Sequence, residues 1–383
     1  MLLRPEFYPM IFNLMIPQRK TRKIKIGDIF VGGDAPIAVQ TMCATRTQDI
    51  DATVKQIEML KNAGAVLIRL AVDSKADVEA LKQIRPQTDA NIVIDLHENY
   101  RLIEALAPYV QKVRYNPGHL YHHQPEISPY DKVKYIVNVA KDNDLALRIG
   151  VNFGSLDPKD RAGKDPLQVA LDSAYEHCDY MEKLDFTRYV VSLKSSDPQA
   201  VVNINTEFAK HRPLVPLHLG VTEAGMLPDA EIKSRMAFEK LLANGIGDTL
   251  RVSITIADSE KDKEVSIGYQ IVTDVESGKF SNFSRDYSEG INVISCPSCS
   301  RVENGKFIQL AQRVREAVGE FEGKKLTIAV MGCRVNGPGE TDHADFGIWC
   351  APTFVNLKKG TNLLGQFGYD VVVERLLEEI RKG

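Results

Sequence analysis

The chain has 383 residues, with 48 Lys or Arg against 51 Asp or Glu and a net charge of -3 at pH 7. That length exceeds one ordinary domain and can bury a large core, while the near-balance of charge excludes nucleic-acid or membrane-surface binding driven by a global basic field. Any anion site must therefore be local. Six cysteines in so long a chain point to a reducing compartment rather than a disulfide scaffold. No apolar run reaches the length of a transmembrane helix, and the apolar stretch 10–17 lacks the basic flank and cleavage pattern of a signal peptide, so a cytoplasmic protein is expected.

Residues 1–20 read as an N-terminal arm. From residue 36, short runs rich in Val, Ile and Leu alternate with amphipathic stretches of helical period, the signature of βα units around a parallel sheet. The runs fall at 36–42, 65–72, 92–97, 112–116, 146–151, 189–194, 214–221 and 249–255. Helical stretches follow at about 51–63, 76–85, 100–108, 130–142, 167–181, 200–211, 230–242 and 261–274. Eight such pairs over roughly 240 residues predict a TIM (β/α)8 barrel spanning 21–275. An open doubly wound sheet is the runner-up, but Thr41-Met42-Cys43-Ala44-Thr45 is not the glycine-rich phosphate turn that fold uses. Segment 276–290 reads as a linker. The remaining 291–383 form a small α+β domain, with strands near 291–295, 325–331, 346–349 and 354–357 and helices over about 304–318 and 369–382.

Functional side chains in such a barrel sit at the C-terminal ends of the strands and in the loops after them. Polar residues collect there: Arg46 after strand one, Arg69 and Asp73 at strand two, Asp95 and His97 at three, Arg114 and Asn116 at four. Arg148 and Asn152 follow at five, Lys194 with Ser195 and Ser196 at six, His218 and Glu223 at seven, Arg251 and Ser253 at eight. A buried guanidinium is costly unless paired, and Asp73, Asp95 and Glu223 are the partners at hand. The surplus of cations over those acids predicts a strongly anionic ligand such as a diphosphate, for which Arg offers bidentate donors. The loop cluster His119, His122 and His123 reads as solvated surface, residues 244–248 as a helix stop on the far face of the barrel, and His97 equally well as a satisfied strand-end histidine.

The most specific chemistry lies near the C-terminus, in Cys296-Pro297-Ser298-Cys299, Met331-Gly332-Cys333 and Asn336-Gly337-Pro338-Gly339-Glu340. Thiolates hold iron–sulfur clusters and zinc, and a C-x-x-C pair with a distant third Cys closes most of such a site. Two residues compete for the open position. Glu340, carried round a tight Gly337-Pro338-Gly339 turn, would give one iron an exchangeable oxygen ligand; His343 would complete a Cys3His zinc site. Ser300 directly after the second Cys excludes c-type haem attachment. Cys43, Cys178 and Cys350 read as small buried residues. Three classes remain on the residues alone: a redox enzyme acting on a diphosphate, a zinc-dependent barrel hydrolase of a phosphorylated substrate, and a non-catalytic iron–sulfur electron carrier. The last has no use for a ring of strand-end cations.

These motifs, together with Ala35-Pro36-Ile37-Ala38-Val39-Gln40-Thr41-Met42, Arg148-Ile149-Gly150-Val151-Asn152, His218-Leu219-Gly220-Val221-Thr222-Glu223-Ala224-Gly225 and Gly245-Ile246-Gly247-Asp248-Thr249-Leu250-Arg251-Val252-Ser253, resemble the bacterial-type 4-hydroxy-3-methylbut-2-enyl diphosphate synthase family of non-mevalonate isoprenoid synthesis. The resemblance extends over nearly the whole chain. It implies one [4Fe-4S] cluster on Cys296, Cys299, Cys333 and Glu340, reductive opening and dehydration of 2-C-methyl-D-erythritol 2,4-cyclodiphosphate, and flavodoxin or ferredoxin as electron donor. It further implies diphosphate contacts from Arg46, Arg114, Asn116, Arg148, Asn152, Lys194 and Ser253, Asp95 near the substrate hydroxyls, and Glu223 as proton donor. The sequence departs from the family at His97-Glu98-Asn99-Tyr100 and in the histidine-rich loop 119–123, and it lacks the large extra domain of the plant type.

Topology adds one expectation. The eighth helix returns the chain to the bottom of the barrel, while the substrate site lies at the top, and a linker of some fifteen residues reaches roughly 50 Å only when fully stretched. A head-to-tail homodimer, one subunit's cluster domain capping the other's barrel, resolves this, and the resemblance points the same way.

Overall fold

The computed structural model describes residues 19–96, 99–157, 164–281, 283, 287, 289–321, 323–333 and 337–382. Most of the expected N-terminal arm and His97 therefore lie outside the described residues.

The barrel strands are β3 (Ala38–Met42), β4 (Leu67–Val72), β5 (Ile92–Leu96), β6 (Lys112–Tyr115), β7 (Ala146–Asn152), β8 (Tyr189–Lys194), β9 (His218–Leu219) and β10 (Thr249–Leu250). They pair in parallel in the order β8-β7-β6-β5-β4-β3-β10-β9, and bridges Val191–Leu217 and Ser195–Val221 join the two ends into a closed barrel. Every residue of β3 to β7 is buried, because helices cover the outer face while side chains fill the interior. That is why the strands read as unbroken apolar runs.

Between and after them lie α1 (Ile50–Asn62), α2 (Lys75–Ile84), α3 (Leu102–Leu106), α4 (Pro129–Asp142), α5 (Pro166–Lys183), α6 (Pro198–His211), α7 (Asp229–Ala243) and α8 (Asp262–Glu276). Five of these eight begin on a side-chain cap, from Asp49, Ser74, Ser128, Asp165 and Asp197, which satisfies backbone N–H groups that the first turn leaves open.

Two features differ from expectation. A hairpin, β1 (Ile24–Ile26) and β2 (Ile29–Val31), precedes the barrel. Its Ile24, Ile26 and Val31 pack with Ala38, Leu67, Val93, Ala146 and Val190 to plug the barrel at the strands' N-terminal ends. The other difference is that β9 and β10 are much shorter than 214–221 and 249–255. After Arg251, whose N–H still bonds Leu219 O at 3.0 Å, the backbone leaves the ladder: Ile254 N–H donates to Glu264 Oε1 at 3.1 Å, Thr255 N–H to Gly225 O at 2.9 Å and Ile256 N–H to Ser298 Oγ at 3.1 Å. The end of the eighth strand is spent on holding the second domain.

That domain has its own core around Phe307, Leu310, Ile328, Val330, Ile348 and Leu376. Its sheet runs β11 (Ile291–Ser295), β12 (Leu326–Met331), β13 (Phe346–Cys350), β14 (Val355–Lys359) and β15 (Asn362–Phe367), parallel as far as β13 and antiparallel after it. Helices α9 (Lys306–Ala317) and α11 (Val372–Lys382) accompany it, with a short α10 (Gly337–His343) between β12 and β13. Strand β15 and helix α10 are additions to the sequence reading; the segment expected to turn at Gly337-Pro338-Gly339 is helical instead.

The linker corrects the steric argument for a dimer. The second domain sits on top of the barrel of its own chain, where β11 bridges Ala224 through Ser295. Described residues on either side of the linker lie along α7: Ser281 donates to Glu239 near the lower end of that helix, Asn292 accepts from Lys233 above it, and Arg315 of α9 pairs with Asp229 at its first turn. A helix of 15 residues rises only about 22 Å, well inside the reach of the linker.

Candidate active site

At the C-terminal end of the barrel one cavity is lined by Arg69, Arg114, Arg148, Lys194 and Arg251 from five strand ends, with Asp95, Asn152, Glu223 and Ser253 among them. Its roof is Cys296, Cys299 and Cys333 of the second domain. Cations face thiols across one enclosed space.

The backbone is cut to admit these long side chains. A β-carbon on Gly150 would lie 2.0 Å from Arg114 Nε, and one on Gly220 would lie 2.8 Å from Lys194 Nζ. Arg114 then donates to Asp95 Oδ1 at 2.9 Å and to Gly150 O at 2.7 Å. Arg251 is neutralised by Glu264 of α8, through Nε at 3.1 Å and Nη2 at 3.2 Å, and Arg69 lies against Met42 Sδ at 3.0 Å.

Arg148 is the exception. It is 1% exposed, and its Nε and Nη1 have no hydrogen-bond partner among the described residues. Burial, and then the neighbouring Arg69 and Arg114, push its pKa well below the ordinary arginine value. Lys194 is pushed well down by burial and the same crowd of arginines, and Arg69 to about 10. Arginine does not deprotonate in proteins, so this pressure is a demand for a counter-anion. Beneath the cavity, Lys112 donates to Gln40 Oε1 at 3.2 Å inside the barrel, and burial beside Arg148 depresses its pKa strongly as well.

Glu223 stands where the barrel meets the roof. Its φ of 47° is left-handed for a residue that is not glycine, a strain that persists where surrounding structure holds it and that clusters at functional sites. Here the restraint is visible: its carbonyl accepts Ser295 N–H at 3.3 Å, while the side chain faces the cavity, the residue being 1% exposed.

The three thiols suit a soft metal centre. Burial, then the nearby Cys333 and Cys299 sulfurs, raise the Cys296 thiol well above its usual pKa, and Gly332 N–H donates to Cys296 Sγ at 3.3 Å. Such a packed trio becomes thiolate when it binds metal, and backbone donors to sulfur are a feature of iron–sulfur sites. A mononuclear zinc site does not fit: among the described residues no group of three His, Cys, Asp or Glu is arranged around one ion, and His343 is exposed.

Residues 21–269 match the family described as GcpE TIM-barrel domain, and 292–382 the one described as GcpE protein C-terminal domain. The chain belongs to the GcpE family. A relative from Rhodopirellula baltica named 4-hydroxy-3-methylbut-2-en-1-yl diphosphate synthase (flavodoxin) is 52% identical over 97% of this chain and 98% of its own. Relatives of the same name from Nautilia profundicola and Nitratiruptor sp. are 41% and 40% identical, over 96% and 94% of this chain and 99% and 97% of theirs.

Not every residue expected of a GcpE site reaches the cavity. Arg46 is exposed and lines a neighbouring groove with Asp73 and Arg301. Asn116 spends its side chain on the loop after β6, donating to Ser155 Oγ at 2.9 Å and accepting Gly118 N–H at 3.1 Å. His218 is buried lower in the barrel, with Nδ1 3.3 Å from Thr249 Oγ1. Glu340 is buried in the first turn of α10 with its carboxylate against Gly154, after β7. His119, read as solvated, is instead buried; burial and then Arg114 push its pKa down to about 3.

Three residues of the site were not foreseen. Arg301, two positions after Cys299, ion-pairs with both Asp73 and Asp95, so Asp73 serves the second domain and not a barrel arginine. Lys261 donates to Glu264 Oε1 at 2.8 Å and to Pro297 O at 2.6 Å, joining the barrel to the loop between two cysteines. Glu264 receives Thr41, Arg251, Ile254 and Lys261 together. In sequence, Lys261 and Glu264 look like any solvated pair on a helix; the cysteine-adjacent position of Arg301 was the one usable signal.

Proposed function

We propose that this chain reductively opens and dehydrates 2-C-methyl-D-erythritol 2,4-cyclodiphosphate to (E)-4-hydroxy-3-methylbut-2-enyl diphosphate, with two electrons delivered in the cytoplasm by flavodoxin or ferredoxin. The relatives' name supplies the product class and the flavodoxin. The observation that carries the reading is the facing of a surplus of buried cations, Arg148 above all, against three thiols in one cavity. The relatives' shared name does not favour a zinc hydrolase, and an electron carrier has no use for the cations.

Cys296, Cys299 and Cys333 would hold one [4Fe-4S] cluster, and Glu340, the oxygen ligand that the resemblance implies, would have to leave its place against Gly154 to join them. When bound it supplies electrons and a Lewis-acidic iron. The chain's own residues do the rest. Arg148, Arg114 and Lys194 clamp the diphosphate, with Asn152, Arg251 and Ser253 beside them, and cost no reorganisation because they are already fixed. Asp95 orients the substrate hydroxyls. Glu223 gives a proton to the departing oxygen, held by the backbone pairing of its own carbonyl. The roof excludes water.

We further propose a head-to-tail dimer in which two chains exchange cluster domains. Exchange preserves each contact between roof and barrel, and domain swapping is a low-cost route to dimers; the resemblance supports it, whereas the length of the linker no longer does.

The reading is tested by anaerobic purification with iron, sulfide and zinc analysis and a visible spectrum, before and after adding the cyclic diphosphate with reductant. About four irons per chain and a substrate-dependent change in the spectrum are expected. Colourless protein carrying one zinc would overturn the redox assignment.

A further inference from the structure

Arg301 belongs to the loop that carries Cys296 and Cys299, yet its guanidinium is bound by the barrel. Nε and Nη2 meet the two oxygens of Asp73, just past β4, at 2.8 Å each. Nη1 meets Asp95 Oδ2 at 2.9 Å, and Nη2 also donates to Asp95 O at 2.9 Å. The fork of donors is thus shared between two carboxylates of adjacent strands, an arrangement that fixes direction as well as distance. The side chain is only 8% exposed, against 4% for Asp95 and 33% for Asp73, so the Asp95 arm is the dry one.

Asp95 gives its other oxygen to Arg114. One carboxylate therefore joins an arginine of the cation cavity to an arginine of the cysteine loop. On the β10 side, Thr255 Oγ1 donates to Cys296 O at 2.8 Å, Ser298 Oγ to Ile256 O at 2.6 Å, and Lys261 to Pro297 O. Arg301 holds the opposite rim, at β4 and β5.

We propose that Arg301 is a positioning residue that latches the cysteine loop over the cation cavity through Asp95 and Asp73. Although Arg301 lines the cavity, its guanidinium is engaged by the two carboxylates, and in this proposal it acts by setting where the thiols stand. The inference rests on the function proposed above. A displacement of about 1 Å at reacting groups can lower a rate on the order of a hundredfold, so a latch far smaller than the domain it holds still governs turnover.

The test uses the iron-loaded full chain as wild type, Arg301→Ala, Arg301→Lys, Asp73→Asn and the Arg301→Ala/Asp73→Asn double variant. Iron content and spectrum, small-angle scattering, and kcat and KM for the cyclic diphosphate are measured on each. Arg301→Ala is expected to keep its iron, to scatter as a more extended particle, and to lose kcat by roughly tenfold to a hundredfold with KM changed less than about threefold. Arg301→Lys recovers part of the loss, Asp73→Asn shows a smaller loss in the same direction, and the double variant is no worse than Arg301→Ala because both remove one contact. Loss of iron, a raised KM with unchanged kcat and scattering, multiplying effects in the double variant, or wild-type behaviour would each overturn the latch. Wild-type protein that fails to turn over the cyclic diphosphate would remove the proposed function instead, and scattering would still decide the latch.

Discussion

The carboxylate of Glu340 lies directly on the α-carbon of Gly154: a β-carbon at that glycine would meet Glu340 Oε1 at 2.2 Å, and one on neighbouring Gly339 would meet Gly154 O at 2.0 Å. At Gly339 the second domain and the loop after β7 thus touch backbone to backbone, with no side chain on either glycine to move. Gly339→Ala forces backbone against backbone, and we expect it to push the domains apart and lower kcat on the order of tenfold or more, with iron retained. Gly154→Ala meets only the end of a flexible side chain and is milder. Equal activity of Gly339→Ala and wild type, in steady-state assays at matched iron content, would refute this close approach.

Glu264 is buried completely and neutralises two cations, Arg251 and Lys261. Burial alone would raise its pKa, but those two partners and the Ile254 N–H outweigh it and leave the value lowered. Breaking such a buried group by removing one charge costs about 3–5 kcal/mol, because its partners stay buried and unpaired. Glu264→Gln is therefore expected to lower the urea midpoint by that equivalent. A shift under about 0.5 kcal/mol, the size of an ordinary surface change, would show that the network carries no such load.

What was legible follows from range. Strands buried on both faces print as apolar runs, and the rule that function gathers at strand ends located Arg114, Arg148, Lys194 and Glu223 without any contact information. The hairpin 24–31 is equally legible, as alternation around a Gly27-Asp28 turn, and in the structure Gly27 sits at φ 61°. Helix α10 was misread because Gly and Pro usually turn a chain; here Gly337 packs on the Trp349 ring and Gly339 on Gly154, so glycine serves close approach. Arg301 and Asp73 are 228 positions apart, and no local pattern announces such a pair.

Acid stability has a sign to which His177 contributes, alongside the similarly buried His119 and His218. His177 is buried in α5, with Nδ1 3.0 Å from Tyr115 Oη, and burial lowers its pKa to about 3 from the ordinary histidine value of 6.5. Between those two values the unfolded chain binds a proton that the folded chain refuses, so stability rises with pH through this window and falls on acidification, by about 1.4 kcal/mol per pH unit. Above the upper value His177 adds no slope. His177→Gln keeps a hydrogen-bonding side chain but cannot titrate, so its urea midpoint should drop less than that of wild type between pH 7 and pH 5. Parallel drops would sink the assignment.

Whether the roof closes on its own barrel or on a partner's turns on chemistry that one chain cannot reveal but two damaged chains can. Cys333→Ser leaves the barrel half of the site intact, and Glu223→Gln leaves the thiol half intact; the latter is expected to bind substrate yet turn over at least a hundredfold more slowly, the scale of a lost general acid. Mixed in equal amounts and allowed to exchange, head-to-tail dimers would be half heterodimers, each holding one whole site of two, so about a quarter of wild-type activity should return. The returned activity should also fall on dilution below the dimer's dissociation constant. A mixture no more active than its two parts would mean that each barrel is capped by its own cluster domain.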